Sequence, residues 1–296
     1  MSNNNGTILK GVGGFYTVRD TKGSLFECRA CGRFRKEGVV PLPGDYVEFS
    51  TDENGSGYIE TLCPRRNALT RPRVANIDMV VIVASFKKPK PDLLLCDKLI
   101  VEAKRNSIIP LLVFNKCDVA DENEILALRN EYGNVCEMLT VSALAGYGLN
   151  DLKEYLKERC TCFAGQSAVG KSSLLNALFP WLTLKTGGLS KKTDRGRHTT
   201  RHAEMLVLED LCAMVVDTPG FSFLETGNLA TEQLWHYYSD FAPHAESCRF
   251  VSCIHADEPT CGVKQAVESG LINKNRYQRY LTIINELKDR RSREYD

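Results

Sequence analysis

At positions 165–172 the chain reads Gly165-Gln166-Ser167-Ala168-Val169-Gly170-Lys171-Ser172, which has the residue types and spacing of a complete P-loop. Its two glycines let the backbone curl, so that successive N–H groups point at phosphate oxygens. Lys171 would reach the β- and γ-phosphates, and the Ser172 hydroxyl would bind a magnesium ion. This octapeptide predicts a site for a nucleoside triphosphate, but it does not choose between ATP and GTP.

The segments on either side of the P-loop support this interpretation. The apolar run 160–164 predicts a buried strand that enters the loop, and residues 173–178 predict a helix that leaves it. The first N–H groups of that helix, including that of Ser173, would then face the phosphates. A strand, a loop and a helix in this order predict an α/β nucleotide-binding domain.

The base is chosen by Asn115-Lys116-Cys117-Asp118, an NKxD motif. The Asp118 carboxylate can accept hydrogen bonds from two guanine N–H donors, whereas adenine would leave it unpaired. Asn115 is expected to hold neighbouring loops, and the stem of Lys116 is expected to cover the base. The motif follows the apolar run 108–114, so it lies at the carboxyl end of a predicted strand, where doubly wound sheets bind ligands. GTP is therefore the predicted nucleotide.

A second base-contacting element is Ser142-Ala143-Leu144, which follows the apolar run 135–141. The backbone of Ser142 and Ala143 is expected to contact guanine. A helix end followed by a turn would explain these letters equally well. Their place one strand and one helix after the NKxD motif favours the role at the base.

The γ-phosphate side of the site is predicted from Asp217-Thr218-Pro219-Gly220, a DxxG motif after an apolar run. Asp217 would hold magnesium through a water molecule, and the Gly220 N–H would contact the γ-phosphate. The preceding polar segment 187–201 is predicted to be a mobile switch loop, in which Thr200 would complete the magnesium shell.

Phe221 follows the DxxG motif, where Ras-like enzymes carry a glutamine that orients the attacking water. A phenyl ring cannot do this. His198, in the switch loop, is the predicted catalytic replacement because imidazole can both donate to and accept from water. The alternative is a histidine that is exposed to solvent or contacts RNA.

A C-x4-C-x-H-x5-C cluster follows the nucleotide motifs, and three thiolates with one imidazole suit one structural zinc ion. The predicted ligands are Cys248, Cys253, His255 and Cys261. So small a segment can hardly bury enough core alone, so metal binding would supply its folding energy. Scattered buried cysteines are the alternative. Cys28 and Cys31 are interpreted as strand residues rather than ligands.

The length of 296 residues predicts more than one domain, and the net charge of +1 gives little general attraction to nucleic acid. Short alternating segments between residues 7 and 63 predict a small antiparallel barrel, OB-like or SH3-like. Basic residues group at 65–73, 185–201 and 274–293, which together point towards structured RNA. For the last helix, packing on its own domain with a solvated basic face is as good an explanation as RNA contact.

The N-terminus carries no signal pattern, and no apolar run is long enough to span a bilayer. We therefore expect a cytoplasmic monomer with no membrane or DNA partner, its thiols reduced or bound to zinc. The predicted fold is multi-domain: an OB-like β-barrel at 1–67, an α/β P-loop GTPase domain at 68–225, and a mostly helical zinc-binding domain at 226–296. Within the GTPase domain the motif order is G4-G5-G1-G2-G3. The NKxD motif (G4) and the Ser142-Ala143-Leu144 element (G5) precede the P-loop (G1), the switch loop (G2) and the DxxG motif (G3). An ordinary Ras-like domain begins with the P-loop, so this order predicts a circular permutation.

With a barrel before these motifs and the Cys3His cluster after them, the chain resembles the RsgA (YjeQ/YloQ) family of circularly permuted GTPases over nearly its whole length. The resemblance implies a late maturation factor that binds the small ribosomal subunit and its rRNA, with GTP hydrolysis stimulated by the subunit and linked to release. It also implies Zn²⁺, Mg²⁺ with GTP or GDP, and a switch histidine at His198. Three alternatives stay open: a permuted GTPase for large-subunit assembly, a nucleotide-gated RNA-binding protein with incidental turnover, and a P-loop enzyme acting on a small molecule.

Overall fold

The computed structural model describes residues 2–52, 56–182, 203–217 and 229–294. Three parts follow one another along the chain: a β-barrel, an α/β domain and a mostly helical C-terminal domain. The predicted fold class is confirmed. Every helix of the described residues is too short or too polar to cross a lipid bilayer.

The N-terminal barrel has five strands and a short helix. In chain order they are β1 Ser2–Val12, β2 Phe15–Asp20, β3 Leu25–Ala30, α1 Gly32–Lys36, β4 Tyr46–Thr51 and β5 Gly57–Leu62. The strands pair in the order β1-β2-β3-β5-β4, and β4 returns to β1 to close the barrel. The β3–β5 pair is parallel and the other pairs are antiparallel. This is the Greek-key order of an OB-fold, so the SH3-like alternative is wrong.

Strand β1 begins in a polar run of asparagines that the alternation of the sequence did not predict as strand. Asn4 pairs with Phe49 of β4, and Thr7 pairs with Arg19 of β2. The asparagine run is extended because its backbone pairs with β4, and such pairing overrides weak local β-propensity.

A hairpin of β6 Ala68–Thr70 and β7 Arg73–Ala75 connects the barrel to the next domain. Two asparagine side chains fix it in place. Asn67 bonds both the N–H and the carbonyl of Ile77, and the buried Asn76 donates to the Gly44 carbonyl of the barrel at 2.9 Å. The connection is therefore tightly held rather than a free linker.

The α/β domain has a central sheet with helices on both faces. Its elements are β8 Met79–Ser85, α2 Leu93–Arg105, β9 Ile109–Asn115, α3 Glu122–Tyr132, β10 Glu137–Thr140, α4 Leu149–Leu156, β11 Cys160–Ala164, α5 Lys171–Leu178, β12 Glu204–Leu208 and β13 Ala213–Asp217. The strand order is β10-β9-β8-β11-β13-β12, with all neighbours parallel except β12, which is antiparallel to β13.

Strand β8 is buried along its whole length because it has a core on each side. Val80 and Ile82 pack with α2 and α3, whereas Val81 and Val83 pack with α4 and α5. This is the doubly wound arrangement in which the carboxyl ends of the strands form one ligand-binding edge.

The sheet continues from the α/β domain into the barrel, because β12 pairs with β1 at Glu204 and Lys10. A bulge in β1 between Ile8 and Lys10 accompanies this change of partner. Ile8 lies in the barrel core, while Leu9 lies in the core of the α/β domain with Met205. One strand therefore serves two domains.

The C-terminal domain consists of a 3₁₀ segment Thr231–Tyr237 and helices α6 Ala242–Ala245, α7 Gly262–Glu268 and α8 Lys274–Glu294. Its core includes the predicted apolar face of the last helix, in which Tyr277, Ile284 and Leu287 are buried and Leu281 is partly buried. Val101 of α2 belongs to the same core, so the domain packs directly on the α/β domain.

Candidate functional site

The predicted nucleotide motifs lie at one edge of the sheet. The P-loop follows β11, which lies between β8 and β13. Asn115 ends β9, Ser142 follows β10, and Asp217 ends β13. Since these strands are parallel, their carboxyl ends bring together motifs that are more than a hundred residues apart in the sequence.

Two P-loop glycines have backbone conformations and surroundings that exclude a side chain. Gly165 has φ +134°, and a Cβ there would lie 2.1 Å from the Val83 carbonyl oxygen. Gly170 has φ +97°, and a Cβ there would lie 2.4 Å from Nδ2 of Asn115. The loop therefore packs against β8 on one side and against the NKxD motif on the other.

Lys171 is the first residue of α5, and its ammonium group turns back over the P-loop. Its Nζ donates to the carbonyl oxygens of Gly165 at 2.7 Å and Gln166 at 2.8 Å. Burial lowers the pKa of Lys171 below its ordinary value. A triphosphate in this loop would give the partly buried ammonium the anionic partner that it lacks among these neutral carbonyls.

The buried Asn115 side chain connects three motifs. Its Nδ2 donates to the carbonyl of Val169 in the P-loop at 2.9 Å, and its Oδ1 accepts from the N–H of Ala143 at 3.1 Å. Its exposed fraction is 2%. The asparagine therefore fixes the P-loop and the Ser142-Ala143-Leu144 loop relative to its own strand.

Lys116 forms a second link between the base motif and the P-loop. It adopts a left-handed backbone conformation with φ +64°, and its Nζ donates to the carbonyls of Lys88 at 2.7 Å and Ala168 at 3.1 Å. Cys117, next in the motif, donates its N–H to the Val141 carbonyl at 3.1 Å. Asp118 follows in a 3₁₀ turn and is exposed, so its carboxylate is open to an incoming base.

The Ser142-Ala143-Leu144 loop is closed by the residues that follow it, which the sequence analysis did not single out. The N–H of Ser142 donates to the Tyr147 carbonyl at 3.0 Å, and the Ser142 Oγ accepts from the N–H of Ala145 at 3.0 Å. Gly148 has φ +70°, and a Cβ there would lie 2.6 Å from the Thr140 carbonyl. The sequence Gly146-Tyr147-Gly148, which follows the loop after Ala145, was the available signal for this tight turn.

The remaining predicted site residues divide into two groups. Ser172 and Ser173 lie in the first turn of α5, and the backbone of Asp217 pairs with Glu204 at the end of β13. The other three lie outside the described residues: His198, Thr200 and Gly220.

The four predicted metal ligands come together in the C-terminal domain, with their ligand atoms all within 4.8 Å of one another. The His255 Nδ1 lies 3.4 Å from the Sγ atoms of both Cys248 and Cys261, and these two sulfurs are 3.8 Å apart. Tetrahedral zinc, with bonds of about 2.3 Å to sulfur and about 2.0 Å to nitrogen, requires ligand separations of about 3.5–3.8 Å. The donor set therefore fits a closed tetrahedral zinc site, and the separations among Cys248, His255 and Cys261 are close to those that zinc requires.

The backbone around these ligands is held by hydrogen bonds. Glu258 accepts from the N–H groups of Ile254 at 2.8 Å and Ala256 at 2.9 Å. From α8, the Tyr277 hydroxyl donates to the His255 carbonyl at 2.8 Å. The N–H of Gly262 donates to the Cys248 sulfur at 3.3 Å, a contact that favours a thiolate.

The CxxC pair of the barrel is not part of such a cluster. Cys28 lies in β3 and is buried, as expected for a strand residue. Cys31 follows the strand and is exposed, so its assignment to the strand is wrong. The strand ends because the chain turns into α1.

Several basic residues that were grouped as candidate RNA contacts are committed to ion pairs. Arg65 pairs with the buried Asp45 at 2.7 Å, and Arg66 pairs with Asp78 at 2.6 Å. In α8, Arg276 is 1% exposed and pairs with Asp97 of α2 at 2.5 Å. The Arg66 and Arg276 pairs join different domains, whereas the Arg65 pair lies within the barrel.

Arg279 completes the buried cluster between α8 and the α/β domain. Its Nε pairs with Asp97 at 2.5 Å, and its Nη2 pairs with Glu131 of α3. RNA contact through Arg276 is thus excluded by burial, and Arg279 is largely covered. The exposed basic residues of this helix include Lys274, Arg290 and Arg291.

The fold and the site define a P-loop GTPase whose base-recognition half precedes its phosphate-binding half, with an OB barrel before it and a Cys3His domain after it. The RsgA GTPase family model matches residues 62–227, and the RsgA N-terminal domain model matches residues 5–59. The chain belongs to the RsgA GTPase family, and it is a GTP hydrolase.

Relatives match the chain over nearly its full length. The small ribosomal subunit biogenesis GTPase RsgA of Caldanaerobacter subterraneus subsp. tengcongensis is 44% identical over 98% of this chain and 98% of its own. The crystal structure of YjeQ from Thermotoga maritima has a TM-score of 0.86 at 39% identity, covering 97% of this chain and 99% of its own. That of YloQ, a circularly permuted GTPase, has a TM-score of 0.82 at 35% identity, covering 98% and 96%.

Proposed function

We propose that this GTPase is a late-stage assembly factor of the small ribosomal subunit. It would bind the subunit and its rRNA in the GTP state, and hydrolysis stimulated by the subunit would promote its release. The observation that carries the GTP site is the pair of hydrogen bonds from Asn115, which joins the base motif, the P-loop and the Ser142-Ala143-Leu144 loop. The name of a relative that matches 98% of the chain supports the ribosomal role. An OB barrel supports it too, since this fold commonly binds oligonucleotides. Such a role places the chain in the cytoplasm.

The proposed contacts with the nucleotide follow the motifs. Asp118 accepts from the guanine N–H groups, the Lys116 stem covers the base, and the backbone around Ser142 and Ala143 contacts its edge. The P-loop and the first turn of α5 bind the phosphates through the residues from Gly165 to Ser173. Asp217 and Gly220 bind on the γ-phosphate side.

Two metal ions belong to the same proposal. Ser172 and Thr200 would hold magnesium, which offsets charge on the phosphate oxygens when it is bound. The Cys3His cluster would hold one structural zinc ion, since its four ligands leave no position open for water. We also propose domain limits of 1–67, 68–225 and 226–296.

Base selection can be tested with Asp118→Asn. An amide cannot accept two guanine N–H bonds, so GTP affinity should fall by about tenfold or more, while its NH2 group can donate to the extra carbonyl of xanthine. Calorimetry with GTP, XTP and ATP measures both effects. Unchanged GTP affinity would remove Asp118 from base recognition.

His198 is proposed to position the attacking water, because Phe221 cannot. Subunit-stimulated turnover should fall in His198→Ala, with GTP affinity intact, while the neighbouring control His202→Ala should keep its turnover. If His198→Ala hydrolyses GTP at the stimulated wild-type rate, the histidine is not part of the mechanism.

The ribosomal role is tested by the rate of GTP hydrolysis with purified small subunits, large subunits or free rRNA. Stimulation by small subunits is expected. Greater stimulation by large subunits would instead indicate large-subunit assembly. GTP-dependent binding to either subunit without any change in rate would indicate an RNA-binding protein with incidental turnover.

A further inference from the structure

A single row of residues crosses three strands between the barrel and the γ-phosphate side of the nucleotide site. Lys10 of β1 pairs in register with Glu204 of β12, and Glu204 pairs in register with Asp217 of β13. Asp217 is the last residue of its strand and the first of the DxxG motif. The barrel therefore meets the α/β sheet directly beside a residue proposed to sense the nucleotide.

The contact between the first two members of the row is specific. The Lys10 Nζ lies 2.7 Å from the Glu204 Oε2. Beside it, Leu9 inserts into the α/β core, where Met205 and Val216 also lie. Met205 and Val216 are themselves paired across β12 and β13. A shift at the end of β13 would therefore be felt by β1 through both backbone pairing and packing.

The barrel also has little free space at this junction. A Cβ at Gly44 would lie 2.7 Å from the Met205 side chain and 2.0 Å from the Ala75 carbonyl. The Gly44 N–H donates to the Ile8 carbonyl at 2.7 Å, which connects this loop to β1. Because the packing is tight, β12 cannot move relative to the barrel without moving the strand that closes it.

We propose that the row Lys10–Glu204–Asp217 couples the nucleotide state of the GTPase domain to the barrel. When the γ-phosphate is present, it would bind the magnesium ion that Asp217 holds through water, so that Asp217 is held at the site. In turn β12 is held by β13, and β1 is held by β12. Loss of the γ-phosphate loosens this edge of the barrel. The proposal rests on the proposed role of Asp217, and it assigns the barrel a state that depends on the bound nucleotide.

The same interface offers a matched control. Arg19 of β2 pairs with Glu209 at 2.8 Å, and this pair also joins the barrel to the α/β domain. Glu209 follows Leu208, which pairs with Ala213 at the start of β13, the end far from Asp217. Both ion pairs are partly exposed and contribute little to stability, so removing either should leave the fold intact.

The experiment is hydrogen exchange of the full chain with magnesium and either GDP or a slowly hydrolysed GTP analogue. In the wild type, the exchange rate of amides in residues 6–12 of β1 should be lower by a factor of about five or more with the analogue than with GDP. Residues 25–30 of β3, which do not pair with β12, should show no such difference. Lys10→Glu places two carboxylates opposite each other in the row and should reduce the difference by about half or more. The swap Lys10→Glu with Glu204→Lys should restore it, and Arg19→Ala should keep it.

Protection of residues 160–178, which contain the P-loop and its flanking strand and helix, tests the nucleotide site separately from the coupling. If the P-loop is protected by both nucleotides but β1 exchanges equally with GDP and the analogue, the row is not a coupling element and the nucleotide site stands. The same conclusion follows if Lys10→Glu retains the wild-type difference, or if Arg19→Ala loses it equally. If neither nucleotide protects the P-loop, the nucleotide site and the coupling are both wrong.

Discussion

Asn115 shows how one side chain can organise a site whose parts come from distant segments. Its amide has one donor and one acceptor directed at different loops, and both bonds are made in a buried position. Serine or threonine at this position could not make both contacts in the same geometry, because a hydroxyl is shorter and lacks the amide fork. We therefore propose that Asn115 acts on nucleotide binding by positioning the P-loop.

Replacing Asn115 with aspartate should separate positioning from base selection. The carboxylate keeps the shape but loses the donor and faces the Val169 carbonyl, which costs about 1–3 kcal/mol and should weaken GTP and GDP binding by about 5- to 150-fold. Titration with a fluorescent guanine nucleotide measures this. Asn130→Asp, on the exposed face of α3, is the control and should bind as the wild type does. Wild-type affinity in Asn115→Asp would contradict a positioning role.

At the scale of elements, the loop that carries the metal ligands lacks regular secondary structure and depends on its side chains. His255 and Thr260 have positive φ angles of +57° and +58°, which cost energy in residues with a Cβ. The His255 ring lies against Trp235 and Phe241, with centroids 5.2 Å and 6.1 Å away. The aromatic core of the C-terminal domain is thus built around a ligand of the proposed zinc ion.

Removal of the metal should therefore unfold this domain rather than a single loop. Structural zinc contributes on the order of 10–16 kcal/mol in small zinc modules, more than a domain of this size can replace. Cys253→Ser, or a strong chelator, should abolish stoichiometric zinc in elemental analysis and expose the segment 229–294 to proteolysis. Cys212→Ser changes an exposed cysteine outside the cluster and should keep both the metal and the protection. A chelated protein that resists proteolysis would show that the domain folds without metal.

At the scale of the whole molecule, the C-terminal domain is fixed to α2 and α3 by a buried charge cluster. Burial alone would lower the pKa of Arg276, but Asp97 and Asp240 raise it above its ordinary value. Its guanidinium also lies over the Tyr238 ring at 4.4 Å. Because α2 and α3 flank β9, the domain is anchored to the base-recognition half of the GTPase domain. This anchoring opposes movement of the C-terminal domain relative to α2 and α3.

Asp97→Ala should be among the most damaging substitutions away from the nucleotide site. It leaves Arg276 buried with one carboxylate fewer, and breaking a buried pair costs about 3–5 kcal/mol. Lys98→Ala, one residue along α2, removes a partly exposed pair with Glu286 and should cost about 0–1 kcal/mol. Urea unfolding followed by tyrosine and tryptophan fluorescence compares the two. Equal losses of unfolding free energy in the two variants would mean that the buried cluster stabilises the protein no more than the partly exposed pair does.

Features that depend on short local sequence motifs could be predicted from the sequence. The P-loop, the base motif and the metal cluster were each recognisable because their chemistry requires particular residues at fixed spacing. The pairing of β1 with β12 was not predicted, since it joins segments nearly two hundred residues apart at a single registered pair, Lys10 with Glu204. The role of Arg276 was also missed, because a basic residue on a helix gives no sign of a buried partner. The available signal for this ion pair was Asp97, a lone acidic residue within the apolar first half of α2.

The sharing of β1 between two cores has a practical consequence for anyone who dissects this protein. A truncated chain that starts at the hairpin would lack Leu9, leaving a hole among Met205, Val216 and their neighbours. It would also remove the partner of Glu204 at the start of β12, and an unpaired strand edge of this kind promotes self-association. Catalytic defects in such a fragment would report damage to the GTPase domain itself as much as the absence of the barrel.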